Sequence, residues 1–560
     1  MLPALSALPG GAIVAYLGIA IALPVLVTRL LSAFRGRWPK KGEPPVVPYW
    51  IPWLGHALSY LLDINNFSDK VKTMFPNESI VTSVVGGRNY YMILDPKLAS
   101  QLLRRPKVFA MEAFVLESHE AFGTPKHDLD LMKMGVPGLQ GHQNDRDDGR
   151  RLWHGLSKVI SECLDVNSSV RMASTFLQIL TKNLAKEFPM DSKASWVTVD
   201  IRSFIMRQYL IASVPSLFGS HILEIWPTIY EDFWLYDRYT SLLLALPPKM
   251  FASKEYALRQ KILNVLLQWE RDARDNKNLD GLIADNVEWD EYWGARLLQQ
   301  RTKLTMENGL SEMARASIQL TLLWGQNGNA IPVGTWLMIQ CLVDPEVKRR
   351  VLTAIEECRK PDGEIDMYQI VTHSYLKSLF LEALRYSVAA PTMRVVLENT
   401  TLGGYTLKKG SITHIPGRTL QMDEKVWSAG DVPVQPSTFW DERFLDLERD
   451  ANGGLNEKQP ANSVFSKAAA DPISLPIGTK SKEIRDRMSS FRPFGGGSHL
   501  CPGRYFAIYE IVAGMVTLLT DFDFEVDQGA LQQNGMPSLN KEGIGGLQPD
   551  RKFMVRMKRK

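Results

Sequence analysis

The chain has 560 residues, of which 45% are hydrophobic and 22% charged; that supports a large core, while a net charge of +4 is too small to argue for a nucleic-acid partner. The four cysteines, Cys163, Cys341, Cys358 and Cys501, are too scattered for a CxxC zinc pair or a disulfide framework. A reducing compartment is the default for the bulk of such a chain.

No charged side chain precedes Arg29, and residues 12–27, AIVAYLGIAIALPVLV, are almost wholly apolar. About 20 such residues cross a bilayer core, so the pattern predicts one transmembrane helix over 11–31, within an anchor of residues 1–33. Pro24 would kink that helix without forbidding it. The alternatives are a cleaved signal peptide, which wants a basic leader absent here, and a buried helix, seldom this long without charge. Arg29, Arg35, Arg37, Lys40 and Lys41 follow, a cluster that stays cytosolic and places the rest of the chain on that side. Residues 39–53, PKKGEPPVVPYWIPW, are proline-rich and stiff, which predicts a basic hinge over 34–55 ahead of a domain of residues 56–560.

Residues 89–95 read as a strand, 96–104 as a helix, and 145–161 and 199–284 as mainly helical with core-facing stripes. Residues 310–341 form a long apolar helical pattern containing Gly325-Gln326-Asn327-Gly328-Asn329-Ala330-Ile331-Pro332. A helical glycine costs about 1 kcal/mol relative to alanine, and small residues let a flat partner approach. Pro332 lacks an N–H and opposes the carbonyl four residues back, that of Gly328. Two readings are open: an ordinary kinked core helix, or a notch with a free Gly328 carbonyl beside the Asn329 amide, suited to oxygen or water. Residues 345–358 read as a charged surface helix. Glu382 and Arg385 lie three apart on one helix face and can pair. Residues 392–413 read as a hairpin or small sheet, and 446–487 as a polar insertion or surface loop.

The most informative stretch is Phe494-Gly495-Gly496-Gly497-Ser498-His499-Leu500-Cys501-Pro502-Gly503-Arg504. The apolar helical segment 505–519 follows at once, so Cys501 is predicted at or just before a helix N-terminus, with Pro502 suited to the first helical position. Unpaired backbone N–H groups and the helix dipole there favour a thiolate. The glycines leave room for something flat and bulky. A thiolate so presented is a good axial ligand for haem iron; a buried, inert cysteine in a glycine turn is the plainer alternative.

The spacing Phe494-x-x-Gly497-x-x-x-Cys501-x-Gly503 resembles the haem-binding signature of the cytochrome P450 family. The chain is similar to that family in motif order over residues 40–560: proline-rich hinge, long kinked helix, Glu382-x-x-Arg385, Pro436-x-x-Phe439-x-x-x-Arg443-Phe444, cysteine loop. The resemblance implies a mainly α fold with a small β region, preceded by the single transmembrane helix. It implies haem b held by Phe494, Gly497, His499, Cys501 and Gly503, with Cys501 the iron ligand and His499 where many members carry a propionate-binding arginine. It also implies a buried ionic network of Glu382, Arg385 and Arg443 beneath the haem. Arg394 either reaches a propionate or faces solvent. The family's Trp-x-x-x-Arg is broken here, with Ser157 four residues after Trp153, so that role is not carried over.

The family's common Ala/Gly-Gly-x-Asp/Glu-Thr aligns with residues 325–329, so Gly328 replaces the acid and Asn329 the alcohol of the distal site. The form Trp324-x-x-Asn327-x-Asn329-x-x-Pro332 resembles the branch containing bile-acid sterol hydroxylases and prostacyclin synthase. An amide holds and donates hydrogen bonds, whereas an acid and a hydroxyl pass protons, so the departure bears on reaction type. The implied function is a monooxygenase of secondary metabolism acting on a small but bulky apolar substrate of terpenoid, steroid or polyketide type. Its electrons would come from NADPH through NADPH–cytochrome P450 reductase, at the endoplasmic-reticulum membrane, with one membrane pass and a cytosolic catalytic domain. The alternatives are a haem-thiolate isomerase or dehydratase needing no reductase, and a membrane-tethered binding protein.

Overall fold

The structure, a computed structural model, describes residues 10–133, 148–189, 195–428, 434–445 and 487–560. It opens with helix α1 (Gly10–Arg37), which contains Pro24 and exposes Tyr16, Ile19, Ile21, Leu23, Leu26, Leu30 and Leu31. A helix so apolar on its outward side is unstable in water and fits a membrane anchor. The helix runs to Arg37, so the first residues of the expected 34–55 hinge are helical. The prolines end it, and the strap folds back, the Tyr49 N–H donating to Ser32 Oγ at 3.0 Å.

Strands β1 (Ile80–Val85) and β2 (Arg88–Ile93) form a hairpin. The expected strand over 89–95 stops short because Asp95 caps α2 (Pro96–Leu103), accepting from the Lys97 and Leu98 N–H groups. Then come β3 (Phe109–Ala110), α3 (Met111–His119), α4 (Asp148–Cys163) and α5 (Val166–Glu187). Next are β4 (Val197–Asp200), α6 (Ile201–Phe218), α7 (Ile229–Leu244) and α8 (Ser253–Asn276).

Helix α9 (Glu312–Val343) is the axis of the molecule. Ser311 caps it, accepting from the Ala314 N–H at 3.2 Å, and Leu320, Leu323, Ile331, Val333 and Trp336 bury its apolar sides against α6, α8 and α11 (Ser374–Ser387). Between α9 and α11 lies the charged helix α10 (Pro345–Glu357). The region 392–413 supplies β5 (Thr392–Val396) and β6 (Ile412–Ile415), which join a five-stranded sheet of order β1-β2-β6-β5-β3. Its β2–β6 pairing is parallel and its other pairings antiparallel. The insertion expected over 446–487 falls, up to residue 486, outside the described residues.

After the cysteine loop, α12 (Arg504–Ile508) leads through one π turn (Tyr509–Ala513) into α13 (Gly514–Asp521). The helix expected from residue 505 is therefore interrupted. Pro502 lies in the turn before it, because Gly503 is the cap. Strands β7 (Phe522–Val526) and β8 (Met554–Arg559) then pair with β4 in a three-stranded sheet of order β7-β8-β4. The outcome is the mainly helical architecture with small sheets that the sequence predicts.

Candidate active site

The cysteine sits at the end of a tight hairpin. Gly495 pairs with Leu500 and Gly496 with His499, leaving Gly497 and Ser498 to turn the chain. Gly497 has φ +73°, and a side chain there would run into the Leu103 carbonyl, so no other residue fits. The Cys501 N–H donates to the Phe494 carbonyl at 3.0 Å, and Arg504 Nη1 donates to the Cys501 carbonyl at 3.1 Å. Cys501 is half-buried, whereas Cys163, Cys341 and Cys358 are buried and all four are free thiols. Burial pushes the Cys501 thiol up, against the N–H groups of Gly503 and Arg504 and the Arg504 charge, which pull it down. The N–H groups of Gly503 and Arg504 thus act in the expected direction, toward the thiolate, against the desolvation of the thiol.

His499 Nε2 lies 2.8 Å from Glu112 Oε1, on α3, and its Nδ1 lies 3.0 Å from Ser498 Oγ. Both ring nitrogens are therefore engaged, and the imidazole that stands where a propionate-binding arginine is common has an acid beside it. His499 chiefly holds the Glu112 carboxyl below its usual range. Nearby Arg394, on β5, is only 5% exposed and donates to the neutral Met393 carbonyl at 2.7 Å. Burial lowers its pKa to about 10, with Glu112 acting in the opposite sense. Of the two places open to Arg394, the solvent-facing one is excluded. Trp153 Nε1 donates to the Met132 carbonyl at 2.8 Å.

On α9, Gly328 is buried and Asn329 half-buried. The carbonyl freed by Pro332 does not stay free: the Gly546 N–H donates to it at 3.3 Å, which corrects the expected open notch. Asn329 Nδ2 donates to the Gly325 carbonyl of its own helix at 3.3 Å, while its Oδ1 is buried without a partner among the described residues. Gly545 and Gly546 pass so close to Asn329 that a Cβ on Gly545 would stand 2.8 Å from Oδ1.

Glu382, Arg385 and Arg443 are brought together. Arg385 grips Glu382 through Nε at 2.7 Å and Nη2 at 2.8 Å, Arg443 Nε donates to Glu382 Oε1 at 3.1 Å, and the Trp440 N–H joins at 2.9 Å. Both salt-bridge pairs are wholly buried. Arg385 Nη1 donates to the Gln421 carbonyl at 3.1 Å, and Gln421 Oε1 accepts from the Arg492 N–H at 3.1 Å. Phe491 packs on Phe444 with ring centroids 5.1 Å apart. These contacts tie the ionic cluster to the strand that leads into the cysteine hairpin.

Glu112, Gly545 and Gly546 escape sequence reasoning because nothing near them in the chain marks their partners. The paired glycines at 545–546 are the one local signal of close backbone approach.

A glycine hairpin presenting one half-buried thiol, a buried arginine without an ion pair among the described residues, and an orphaned amide oxygen on the long central helix have the chemistry that a haem iron, its propionates and its polar face would take. Fold and site together define a haem-thiolate oxidoreductase. The sequence model of the family Cytochrome P450 matches residues 228–556, and the chain belongs to that family. It is similar to the cytochrome P450 monooxygenase efuG of Hormonema carpetanum, 28% identical with 96% of both chains covered. It is also similar to the cytochrome P450 monooxygenase fsoE of Humicola fuscoatra, 26% identical over 92% of this chain and 88% of that one. The cholesterol 7-alpha-monooxygenase of Cricetulus griseus is 23% identical over 94% of this chain and 95% of its own. The protein is an oxidoreductase of the monooxygenase type, and the relatives do not favour the isomerase and binding-protein alternatives.

Proposed function

We propose that Cys501 is the axial iron ligand of haem b, and that the protein is a monooxygenase of secondary metabolism acting on a bulky apolar terpenoid, steroid or polyketide-like substrate. The single observation that carries the reading is the half-buried thiol on its glycine hairpin, the one cysteine not sealed into the core. The bound cofactor supplies reductive activation of dioxygen, with the thiolate lending electron density to the iron.

The chain's own residues do the rest. Gly503 keeps a side chain away from the thiol, Gly497 lets the hairpin turn against the Leu103 carbonyl, and Phe494 anchors the loop through its own carbonyl. Arg394 forms the cationic side of the site, and His499 lies on the hairpin with Glu112 orienting its imidazole. On α9, which would supply the distal side of the site, Gly328 adds no side chain beside Trp324, and Asn329 carries a hydrogen-bonding amide. Glu382, Arg385 and Arg443 hold the hairpin rigid from below. The sterol in the name of one relative, and the fungal relatives, support the substrate class.

Electrons reach this site from NADPH through NADPH–cytochrome P450 reductase. The anchor, residues 1–33, and the hinge, 34–55, tether a catalytic domain of residues 56–560 to the cytosolic face of the endoplasmic reticulum. The apolar surface of α1 and the basic residues after it support this placement. The test is turnover of the membrane-bound enzyme with reductase, NADPH and labelled dioxygen against a panel of terpenoid, sterol and polyketide scaffolds. One labelled oxygen atom in a product supports the reading; product formed without NADPH or without label contradicts it.

A further inference from the structure

A carboxylate packs against α9 at Gly328. Asp237, on α7, accepts from Trp324 Nε1 through Oδ1 at 2.9 Å and from Gln548 Nε2 through Oδ2 at 3.1 Å. A Cβ on Gly328 would stand 3.1 Å from that Oδ1 and 3.3 Å from Trp324 Nε1. A helical glycine costs about 1 kcal/mol relative to alanine, so the space it leaves has a use. Here it lets an acid from another helix reach the α9 backbone beside Asn329. Asp237 is half-buried rather than sealed in, so solvent reaches the residue. Burial pushes that carboxyl up to about 6, while Trp324, Gln548 and the charge of Arg238 pull it down. Those three groups and Arg202 of α6, which donates to Gln548 Oε1 at 3.3 Å, are what face it from α9, the 548 segment, α7 and α6.

We propose that Asp237 is the acid of the distal site: reaching across from α7 into the space left by Gly328, it supplies the proton-carrying carboxyl that α9 itself lacks. The proposal rests on the haem-thiolate reading above. It divides the labour: Asn329 holds by hydrogen bonds, and Asp237 exchanges protons. In each cycle the carboxyl releases one proton toward the distal face and takes one back from solvent. No electron passes through it, and no reductant beyond NADPH is required.

The test is Asp237→Asn in the full-length haem-loaded enzyme. Asparagine keeps the acceptor for Trp324 but gives up the one for Gln548, whose amide is held by Arg202 on Oε1, so the variant's carbon-monoxide band and thermal midpoint are read first to show that it folds. With reductase, NADPH and dioxygen alone, NADPH oxidation, peroxide release and the H2O/D2O isotope effect are followed at pH values on both sides of 6. In the variant the proton-dependent rate falls by on the order of 100-fold, and both the pH inflection and the isotope effect disappear. Infrared titration gives a readout independent of turnover, since a protonated-carboxyl C=O band present in the wild type is missing from the variant. The double variant Asp237→Asn/Gly328→Asp, which moves the acid onto α9, recovers the pH inflection. A variant with the wild-type pH profile, isotope effect and infrared band overturns the proposal while a thiolate-type carbon-monoxide band still upholds the haem reading. A wild type lacking that band overturns both.

Discussion

Replacing Glu382 by glutamine removes the carboxylate that two buried arginines share. The side chain accepts from Arg385 Nε, Arg385 Nη2, Arg443 Nε and the Trp440 N–H, all within 3.1 Å. Glutamine keeps the shape but offers one acceptor oxygen and turns an N–H toward a guanidinium. Two buried cations then face no counter-charge from this site. Breaking one partner of such a cluster costs about 3–5 kcal/mol, mostly from the charge left stranded. Against a folding free energy of about 5–15 kcal/mol, that loss is a large fraction of the total and shifts the folded-to-unfolded ratio by roughly two to four orders of magnitude. Because Gln421 links Arg385 to the strand before the hairpin, the damage extends to the cysteine loop. Haem content per polypeptide, the carbon-monoxide difference band and the thermal midpoint are the assay, with Glu382→Asp as the milder control. A Glu382→Gln protein with wild-type haem content and an unchanged midpoint would refute the reasoning.

Gly497→Ala should abolish haem incorporation, because alanine is strained at a φ of +73° and its methyl meets the Leu103 carbonyl; pyridine haemochrome analysis reads the loss. Glu510→Gln should give a pH-dependent gain in stability. Burial raises the Glu510 carboxyl to about 8, with Ser213 offsetting part of the effect, so the folded state retains a proton that the unfolded state gives up from about pH 4.5 upward. The wild type is then most stable below that lower pH and weakens as pH rises through 8; the variant escapes the loss, by a few kcal/mol at order of magnitude. Urea midpoints for both proteins at about pH 4 and about pH 9, on either side of that window, check the sign, and parallel curves would contradict it. Deleting residues 10–31, the apolar part of α1, should release the protein from membranes washed with alkaline carbonate while leaving its carbon-monoxide band intact.

What could be read from the sequence follows the range of the interactions. The cysteine hairpin is legible because its glycines, thiol and following helix are chain neighbours, and the Glu382–Arg385 pair because three residues bring both to one helix face. The reach of Arg443 to the same carboxylate, by contrast, rests on family motif order. Pro332 marks locally that the Gly328 carbonyl loses its helical partner, yet the group that takes it, the Gly546 N–H, comes from the far end of the chain. Glu112 and His499 are 387 residues apart, and Asp237 and Gln548 are 311 apart; no periodicity links such pairs. Desolvation of Cys501 is likewise a tertiary property, which the local sequence does not show.

The central claim is tested most directly by the reduced carbon-monoxide difference spectrum of the full-length protein beside Cys501→Ala. The account predicts a strongly red-shifted thiolate-type band in the wild type and no such band in the variant. A wild type that binds no haem, or a variant that retains the band, would contradict it.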